Sequence, residues 1–192
     1  MRALLVGGTG QIGRAAARAL AVGGWEVVAV SRSGSLPDGL RDLGVRAAQA
    51  DRQDDAQLRA ALGEGADVVV DTVAYTREHG EQLDRFAGTV GSLVVVSTAA
   101  VYADDEGRTL SGADALDEFP RFPVPIPETQ RTAEPSDEDY ASRKVALEQT
   151  LLEGSLPATL LRAGAIHGPG SRAPRELFFV KRARDGRRRV AL

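Results

Sequence analysis

The sequence contains no cysteine, only two histidines and 5% aromatic residues. The absence of cysteine excludes disulfides, a thiolate nucleophile and a cysteine-based zinc site. With His79 and His167 alone, a histidine-rich metal site is not expected either. Long apolar runs are also missing, since stretches such as Val68–Val70 and Leu93–Val96 fall far short of the roughly 20 residues that a bilayer span needs. The chemistry of this chain must therefore use oxygen acids, amines or a bound cofactor.

Charge of one sign is not in large excess. The 192 residues carry 24 basic and 27 acidic side chains, a formal net charge of −3, so no global field favours a nucleic-acid partner. The N-terminal apolar residues meet glycine too early to form the core of a signal peptide. A composition of 43% apolar and 27% charged residues is typical of one globular domain. We therefore expect a cytoplasmic protein that binds neither membrane nor nucleic acid.

Short apolar runs alternate with longer amphipathic stretches along the chain. Runs rich in valine and leucine predict six strands covered on both faces, at Arg2–Val6, Glu26–Val30, Val45–Ala50, Val68–Ala74, Leu93–Ser97 and Ala158–Leu161. Helical spacing predicts helices at Gln11–Val22, Asp54–Leu62, Arg77–Val90 and Glu138–Leu152. This alternation predicts an α/β fold with a parallel, doubly wound sheet and right-handed crossovers.

Two segments depart from the alternation. Ala103–Asp137 contains five prolines and an excess of acids, and we weigh a solvated surface loop and a flap over a ligand site equally. Arg172–Arg189 contains eight basic and two acidic residues. We interpret it as a polar connector, with a nucleic-acid patch as the weaker alternative. The final residues, Val190–Leu192, look like the start of another strand.

A glycine-rich turn follows the first strand and leads directly into an alanine-rich helix. The segment Gly7–Gly13 fits both the GxGxxG and the GxxGxxG spacing. Glycines allow a tight turn close to a pyrophosphate, and the helix N-terminus offers unpaired N–H groups to it. A plain strand-to-helix turn is the alternative. The predicted cofactor contacts are Gly7, Gly10, Gln11, Ile12 and Gly13.

The end of the second strand indicates which dinucleotide is preferred. An NAD site places an acid there for the ribose hydroxyls, whereas this sequence has Ser31, Arg32 and Ser33 and no carboxylate before Asp38. A cation and two hydroxyls suit a 2′-phosphate, so Arg32 predicts NADP, with NAD as the alternative. Asp51, after the third strand, suits the adenine amino group or a cap on a helix beginning at Gln53.

Tyr140 and Lys144 lie four residues apart, on one face of a predicted helix. Lysine occurs only twice in a chain that otherwise uses arginine, which suggests a need for a compact ammonium group. Such an ammonium stabilises the phenolate form and equips the tyrosine to move a proton near neutral pH. Ser97 and Thr98, at the end of the fifth strand, are candidates to polarise a substrate oxygen. A surface Tyr/Lys pair without function is the alternative.

Four motifs in this order resemble the extended branch of the short-chain dehydrogenase/reductase superfamily, the NAD-dependent epimerase/dehydratase family. They are Gly7–Gly13, Ser97–Tyr102, Tyr140–Lys144 and Leu161–Gly164 with His167–Gly170. The resemblance implies a Rossmann fold in which Tyr140 is the acid/base, Lys144 assists it and binds the nicotinamide ribose, and Thr98 orients the substrate. It also implies that Asp51 contacts adenine and that Val73 and Ala74 line the cofactor.

The resemblance covers nearly the whole chain, with two departures. Ala103 replaces the glycine that usually follows the Val-Tyr pair, and family members are longer, with a smaller substrate lobe. We therefore expect the chain to be an N-terminal part, with a dinucleotide-binding domain at 1–165 and the start of a truncated substrate lobe at 166–192. Relatives often pair through helices that correspond to Arg77–Val90 and Glu138–Leu152, which implies a homodimer.

These observations favour an NADP-linked oxidoreductase or epimerase/dehydratase acting on a small hydroxyl or carbonyl substrate, with a nucleotide sugar as one candidate. The alternative is a non-catalytic dinucleotide-binding or sensing module on the same fold, since fold alone does not fix function.

Overall fold

A computed structural model describes residues 1–37, 39–111, 116–171 and 174–189. Its strands form one parallel sheet in the order β3-β2-β1-β4-β5-β6. They are β1 (Arg2–Val6), β2 (Glu26–Ser31), β3 (Arg46–Gln49), β4 (Ala66–Asp71), β5 (Val90–Thr98) and β6 (Ala158–Ala163). The α-helices are α1 (Gln11–Val22), α2 (Asp55–Leu62), α3 (Arg77–Asp84), α4 (Tyr140–Glu153) and α5 (Leu177–Arg184). The predicted doubly wound α/β fold is confirmed.

The sheet is covered by apolar side chains on both faces, as the valine-rich strands predict. In β1, Leu4 and Val6 pack into the core beneath α2, α3 and α4, whereas Ala3 and Leu5 pack into the core beneath α1. Successive side chains of a strand point to opposite faces, so a strand buried on both sides has no polar alternation. None of the helices in the described part of the chain combines the length and apolar character that crossing a bilayer requires.

Strand β4 ends three residues earlier than the sequence predicts, at Asp71. The Asp71 Oδ1 atom accepts hydrogen bonds from the backbone N–H groups of Val73 (2.8 Å) and Ala74 (2.7 Å). An aspartate that binds backbone groups two and three residues ahead stabilises a turn in place of further strand pairing. The chain therefore turns at the carboxyl edge of the sheet.

The predicted helix Arg77–Val90 is correct only in its first part, because α3 ends at Asp84. The N–H groups of Phe86 and Thr89 then close tight turns, and Gly88 adopts a φ of +83° that favours glycine. Val90 is already the first residue of β5. Apolar spacing continued through the turn and concealed the boundary.

The C-terminal region contains a helix where the sequence predicts a polar connector. Helix α5 spans Leu177–Arg184, and the Arg182 guanidinium lies over the Phe178 ring one turn earlier, which supports a short helix. The prediction of a connector is therefore wrong for these residues. Asp38, Arg172 and the predicted strand start at Val190–Leu192 lie outside the described residues.

Among the described residues of Ala103–Asp137, a turn is held by the buried carboxylate of Asp104. Asp104 accepts hydrogen bonds from the backbone N–H groups of Glu106, Arg108 and Arg121 and from the Arg108 side chain. Desolvation opposes the shift, but the hydrogen bonds from Arg121 and Arg108 hold the pKa of Asp104 well below its usual range. One carboxylate thus stabilises a turn that has almost no regular backbone pairing.

Candidate functional site

Two adjoining cavities open at the carboxyl ends of the strands, where open α/β sheets bind their ligands. The first, of about 730 Å³, lies between the glycine turn, the end of β2 and the turn after β4. The second, of about 410 Å³, lies between the end of β5 and the start of α4. Ile12, Thr72 and Ile166 line both cavities, so the two cavities adjoin.

The glycine turn forms one wall of the first cavity. Gly7 has a φ of +79°, and its carbonyl oxygen accepts a hydrogen bond of 2.9 Å from the N–H of Gly10. Helix α1 follows at once, so Gln11 and Ile12 reach the cavity from a helix N-terminus whose first N–H groups have no partner within the helix. A Cβ added at Gly13 would lie 2.2 Å from the Gly7 carbonyl oxygen, so Gly13 permits close packing of the turn.

Hydroxyl groups and a cation line the cavity where β2 ends. Ser31, Arg32 and Ser33 all face the first cavity, and Arg32 is exposed. The Gln49 side chain donates a 3.1 Å hydrogen bond to the Arg32 carbonyl oxygen and fixes the backbone there. In the part of the chain that the structure describes, no acidic residue of this segment lines the cavity.

Asp51 lines the same cavity at the end of β3. Its Oδ1 atom accepts a 2.9 Å hydrogen bond from the backbone N–H of Gln53. The alternative role predicted for Asp51, capping the following helix, is wrong. Helix α2 begins at Asp55, and its cap is the Asp54 side chain, which accepts from the N–H of Gln57 at 3.0 Å.

The second cavity brings together the predicted catalytic residues Tyr140, Lys144 and Thr98. Tyr140 is the first residue of α4, is 42% exposed, and stacks on the Tyr75 ring at a centroid distance of 5.6 Å. The Thr98 Oγ1 atom accepts a 3.1 Å hydrogen bond from the N–H of Ala100, which leaves its own hydroxyl hydrogen free to donate.

Lys144 is buried, and only 6% of its surface is exposed. Its Nζ atom donates hydrogen bonds to the carbonyl oxygens of Ala74 (2.6 Å) and Val96 (3.0 Å). Burial lowers the pKa of Lys144, and the carboxylates of Asp71 and Glu148 oppose that shift. The environment of the ammonium group therefore favours loss of its proton relative to an exposed lysine.

The predicted site residues divide between the two cavities and the layer behind them. The first cavity is lined by Gly7, Gly10, Gln11, Ile12, Arg32, Asp51 and Val73, and the second by Thr98, Tyr140 and Lys144. Gly13 and Ala74 line neither cavity. Gly13 packs against the glycine turn, and the Ala74 carbonyl oxygen binds Lys144. No described residue of Ala103–Asp137 lines either cavity, which favours the surface loop over the flap.

Sequence reasoning missed a buried cluster around Arg52 and Asp71. The Arg52 Nη2 atom lies 3.0 Å from Asp71 Oδ2, and both side chains are buried. Arg52 also binds the Gln82 side chain and the His79 carbonyl oxygen. Burial lowers the pKa of His79, whose Nδ1 atom accepts from the N–H of Tyr75 at 2.9 Å. The sequence signal that could have revealed this cluster is Asp71, a charged residue directly after the apolar run Val68–Val70.

A second buried ionic group lies behind Lys144. The Glu148 carboxylate, 2% exposed, accepts a 2.5 Å hydrogen bond from Ser97 and binds the Arg162 guanidinium through Nε and Nη2. Arg162, in β6, also lies over the Tyr102 ring. Hydrogen bonding to Glu148 raises the pKa of Arg162. Ser97, a candidate for polarising a substrate oxygen, is therefore occupied by Glu148.

Comparison with known proteins decides the family. The sequence profile of the NAD-dependent epimerase/dehydratase family matches residues 3–190. The chain belongs to this family. A curated relative, 2′-dehydrokanamycin reductase from Streptomyces kanamyceticus, is 30% identical over 179 residues, which are 89% of this chain and 44% of that protein. The family that the sequence motifs predicted is confirmed.

Several solved structures share the fold. The enzyme WbmG of Bordetella bronchiseptica, in complex with NAD and UDP, aligns with a TM-score of 0.71 and 21% identity over 97% of this chain and 60% of that chain. A putative epimerase from Burkholderia cenocepacia aligns with a TM-score of 0.69 and 21% identity over 100% of this chain and 63% of that one. The chain thus spans less than two thirds of these proteins. The domain division at residue 165 and the homodimer stay predictions.

Proposed function

We propose that this chain provides the cofactor-binding and proton-transfer part of an NADP(H)-linked oxidoreductase of the epimerase/dehydratase family. The observation that carries the proposal is that Ile12, Thr72 and Ile166 line both cavities, which therefore adjoin at the carboxyl ends of the strands. A dinucleotide held in the first cavity can place its nicotinamide in the second, beside Tyr140 and Lys144. The hydroxyl or carbonyl carbon of the substrate would react there.

The residues of the first cavity fit a dinucleotide. The turn at Gly7 and Gly10 leaves backbone without side chains against the cavity, and a helix N-terminus suits a pyrophosphate. Asp51 provides an acceptor for the adenine amino group, and Val73 an apolar wall. In the second cavity the remaining N–H of the Lys144 ammonium would donate to the nicotinamide ribose, since the other two bind Ala74 and Val96.

The chain's own residues supply the proton transfer. The cofactor, when bound, exchanges hydride with the substrate carbon. Tyr140 gives a proton to the substrate oxygen in reduction and removes it in oxidation, and its exposure leaves the hydroxyl accessible to substrate. Lys144, one turn further along α4, lines the same cavity and supplies a positive charge there. Thr98, whose oxygen already accepts from Ala100, donates its hydroxyl hydrogen to the substrate oxygen.

The preference for NADP rests on the end of β2. Arg32, with Ser31 and Ser33, offers a cation and hydroxyls to a 2′-phosphate, and charge-assisted hydrogen bonds of this kind are strong. Arg32→Ala should weaken NADPH binding by about ten- to a hundredfold and leave NADH binding unchanged. Arg41→Ala removes an exposed arginine away from both cavities and serves as the matched control. Equal affinities of the unchanged protein for NADPH and NADH would contradict the preference.

The substrate class follows from the relatives. One is named for reducing a ketone derivative of kanamycin, and another was solved with UDP, so we propose a ketone or alcohol on a sugar ring. The test measures NADPH consumption with nucleotide-linked keto-sugars and with a 2′-dehydro aminoglycoside. Tyr140→Phe should lower turnover by about 10²- to 10⁴-fold while NADPH affinity is retained.

Two results would contradict the proposal. Undiminished turnover in Tyr140→Phe would mean that another group transfers the proton. NADPH binding by the full-length protein without turnover on any of these sugars would favour the non-catalytic dinucleotide-binding module instead.

A further inference from the structure

Asp71 is the last residue of β4 and is completely buried. One of its oxygens accepts from the N–H groups of Val73 and Ala74 and so determines the course of the turn after β4. The other oxygen is bound by Arg52 at 3.0 Å. Three donors therefore hold one carboxylate, which keeps its position and its charge well defined.

The turn that Asp71 shapes is also the binding site of the Lys144 ammonium. The Ala74 carbonyl oxygen accepts from Lys144 Nζ at 2.6 Å, across 70 residues of sequence, and the second acceptor is the Val96 carbonyl oxygen at 3.0 Å. Both acceptors are neutral. A buried ammonium held only by neutral groups requires negative charge nearby to remain protonated.

We propose that Asp71 is a positioning residue for Lys144, because its buried carboxylate holds the turn whose Ala74 carbonyl oxygen binds the ammonium group. The proposal depends on the proposed function only in giving Lys144 a part in the reaction. Asp71 itself lines neither cavity and would touch neither cofactor nor substrate.

The charges that surround Lys144 identify Asp71 as the main counter-charge. On its own helix, Glu148 is occupied by Arg162 and Ser97, and the phenol of Tyr140 is neutral until it gives up its proton. From the neighbouring elements, Arg52 acts against the ammonium, as does His79 whenever it is protonated. Burial lowers the pKa of Lys144, and Asp71 is the strongest of the groups that oppose the shift.

Arg52 and Asp71 therefore act on Lys144 in opposite directions. Replacement of Asp71 by asparagine keeps an oxygen for the two N–H groups but leaves the Arg52 charge uncompensated. Replacement of Arg52 by methionine removes that positive charge and leaves the turn held by Asp71. If the ion pair had only a structural role, the two substitutions would not move the titration midpoint of Lys144 in opposite directions.

The test is the titration of Lys144 by NMR in the full chain labelled with [¹³C]lysine, without cofactor. The sequence has only two lysines, so two sets of signals are expected, and Lys181→Arg assigns them. Asp71→Asn should lower the titration midpoint of Lys144 by about one pH unit or more, and Arg52→Met should raise it. The midpoint of Lys181, in α5, should not change in either variant.

An unchanged midpoint of Lys144 in both variants, or shifts in the same direction, would overturn the proposal. If Asp71→Asn does not fold, the Arg52→Met titration decides alone, because a midpoint that falls or stays constant contradicts the proposal. Neither arm uses substrate or coenzyme. Failure here would leave the proposed oxidoreductase function intact, and a failure to turn over substrate would leave this result unaffected.

Discussion

The two cavities differ in how the sequence builds them. The glycine-turn wall of the first cavity comes from the short segment Gly7–Ile12, whose shape depends on backbone conformation. The second depends on side chains that are distant in sequence, since Lys144 binds a carbonyl oxygen 70 residues away and Glu148 binds a hydroxyl 51 residues away. The glycine-turn wall of the first cavity is therefore specified locally, and the second cavity is specified by the completed fold.

This difference has an energetic consequence. Glycine turns cost mainly backbone entropy, and their geometry tolerates changes elsewhere. Buried charges such as Asp71 and Glu148 tolerate little, because removing one partner leaves the other desolvated without compensation. We therefore expect substitutions at Glu148 to disturb the second cavity and to spare the glycine-turn wall of the first.

The largest effect is expected from Glu148→Gln, which removes the buried charge behind Lys144. Arg162 would lose its carboxylate partner, and the free energy of unfolding should fall by about 3 kcal/mol, the low end for a buried pair because Arg162 is partly exposed. Urea denaturation measures this loss. Adenosine 2′,5′-bisphosphate, which reaches only the first cavity, should bind with unchanged affinity.

The double variant Glu148→Leu/Arg162→Met is the matched control. Apolar replacement of both partners removes the uncompensated charge, so stability should recover at least in part. A double variant as unstable as Glu148→Gln would show that the ionic contact is not the cause.

The next effect is expected from Gly13→Ala, which tests the first cavity. The added Cβ would lie 2.2 Å from the Gly7 carbonyl oxygen, so the turn must move, at a cost of about 2 kcal/mol in unfolding free energy. Adenosine 2′,5′-bisphosphate should bind more weakly, as isothermal titration calorimetry would show. Gly23→Ala, with a closest contact of 3.3 Å, is the control and should bind it normally. Equal affinities of the two variants for adenosine 2′,5′-bisphosphate would contradict the claim that the glycine turn determines this wall of the cavity.

A smaller effect is expected from Tyr75→Ala, which removes the ring stacked on Tyr140. Aromatic pairs contribute about 1 kcal/mol beyond the area they bury, so turnover should fall by up to about fivefold as Tyr140 gains freedom. Tyr75→Phe keeps the ring, so its turnover should fall less. Steady-state kinetics distinguishes the two, and an equal loss in both would show that the Tyr75 hydroxyl is what matters.

Asp104→Asn is expected to have the smallest effect on the cavities, because Asp104 lines neither of them. Its effect is on the stability of the fold. Asp104 has a lowered pKa in the folded state, so its contribution is complete above the ordinary aspartate pKa and is lost as the pH falls through the folded value. The stability difference between the two proteins should therefore be greatest near pH 7 and shrink in acid. Thermal unfolding at several pH values measures it. A difference that grows in acid would contradict this assignment.

The sequence predicts well what is encoded locally. Glycine spacing predicts the turn before α1, and apolar spacing predicts the bounds of α1. Apolar runs predict the six strands of the sheet. Each of these signals lies within a few residues of the chain. The four-residue spacing predicts Tyr140 and Lys144 as a pair, and the end of the fifth strand together with the family resemblance predicts Thr98 beside them.

The contacts between distant residues could not be predicted in the same way. Arg52 and Asp71 meet across 19 residues, and nothing local distinguishes Arg52 from a surface arginine beside Asp51. The end of α3 is determined by a turn at Gly88 that apolar spacing conceals. Asp104 organises its loop through backbone donors, and sequence patterns do not reveal which N–H groups a carboxylate will reach.

The central claim is that one dinucleotide extends across both cavities. A crystal structure of this chain with NADPH tests it most directly. We predict the 2′-phosphate beside Arg32, the pyrophosphate at Gly10 and the nicotinamide in the second cavity, with its ribose at Lys144 and its ring next to Tyr140. A nicotinamide that lies outside the second cavity, away from the Tyr140 hydroxyl, would contradict the account.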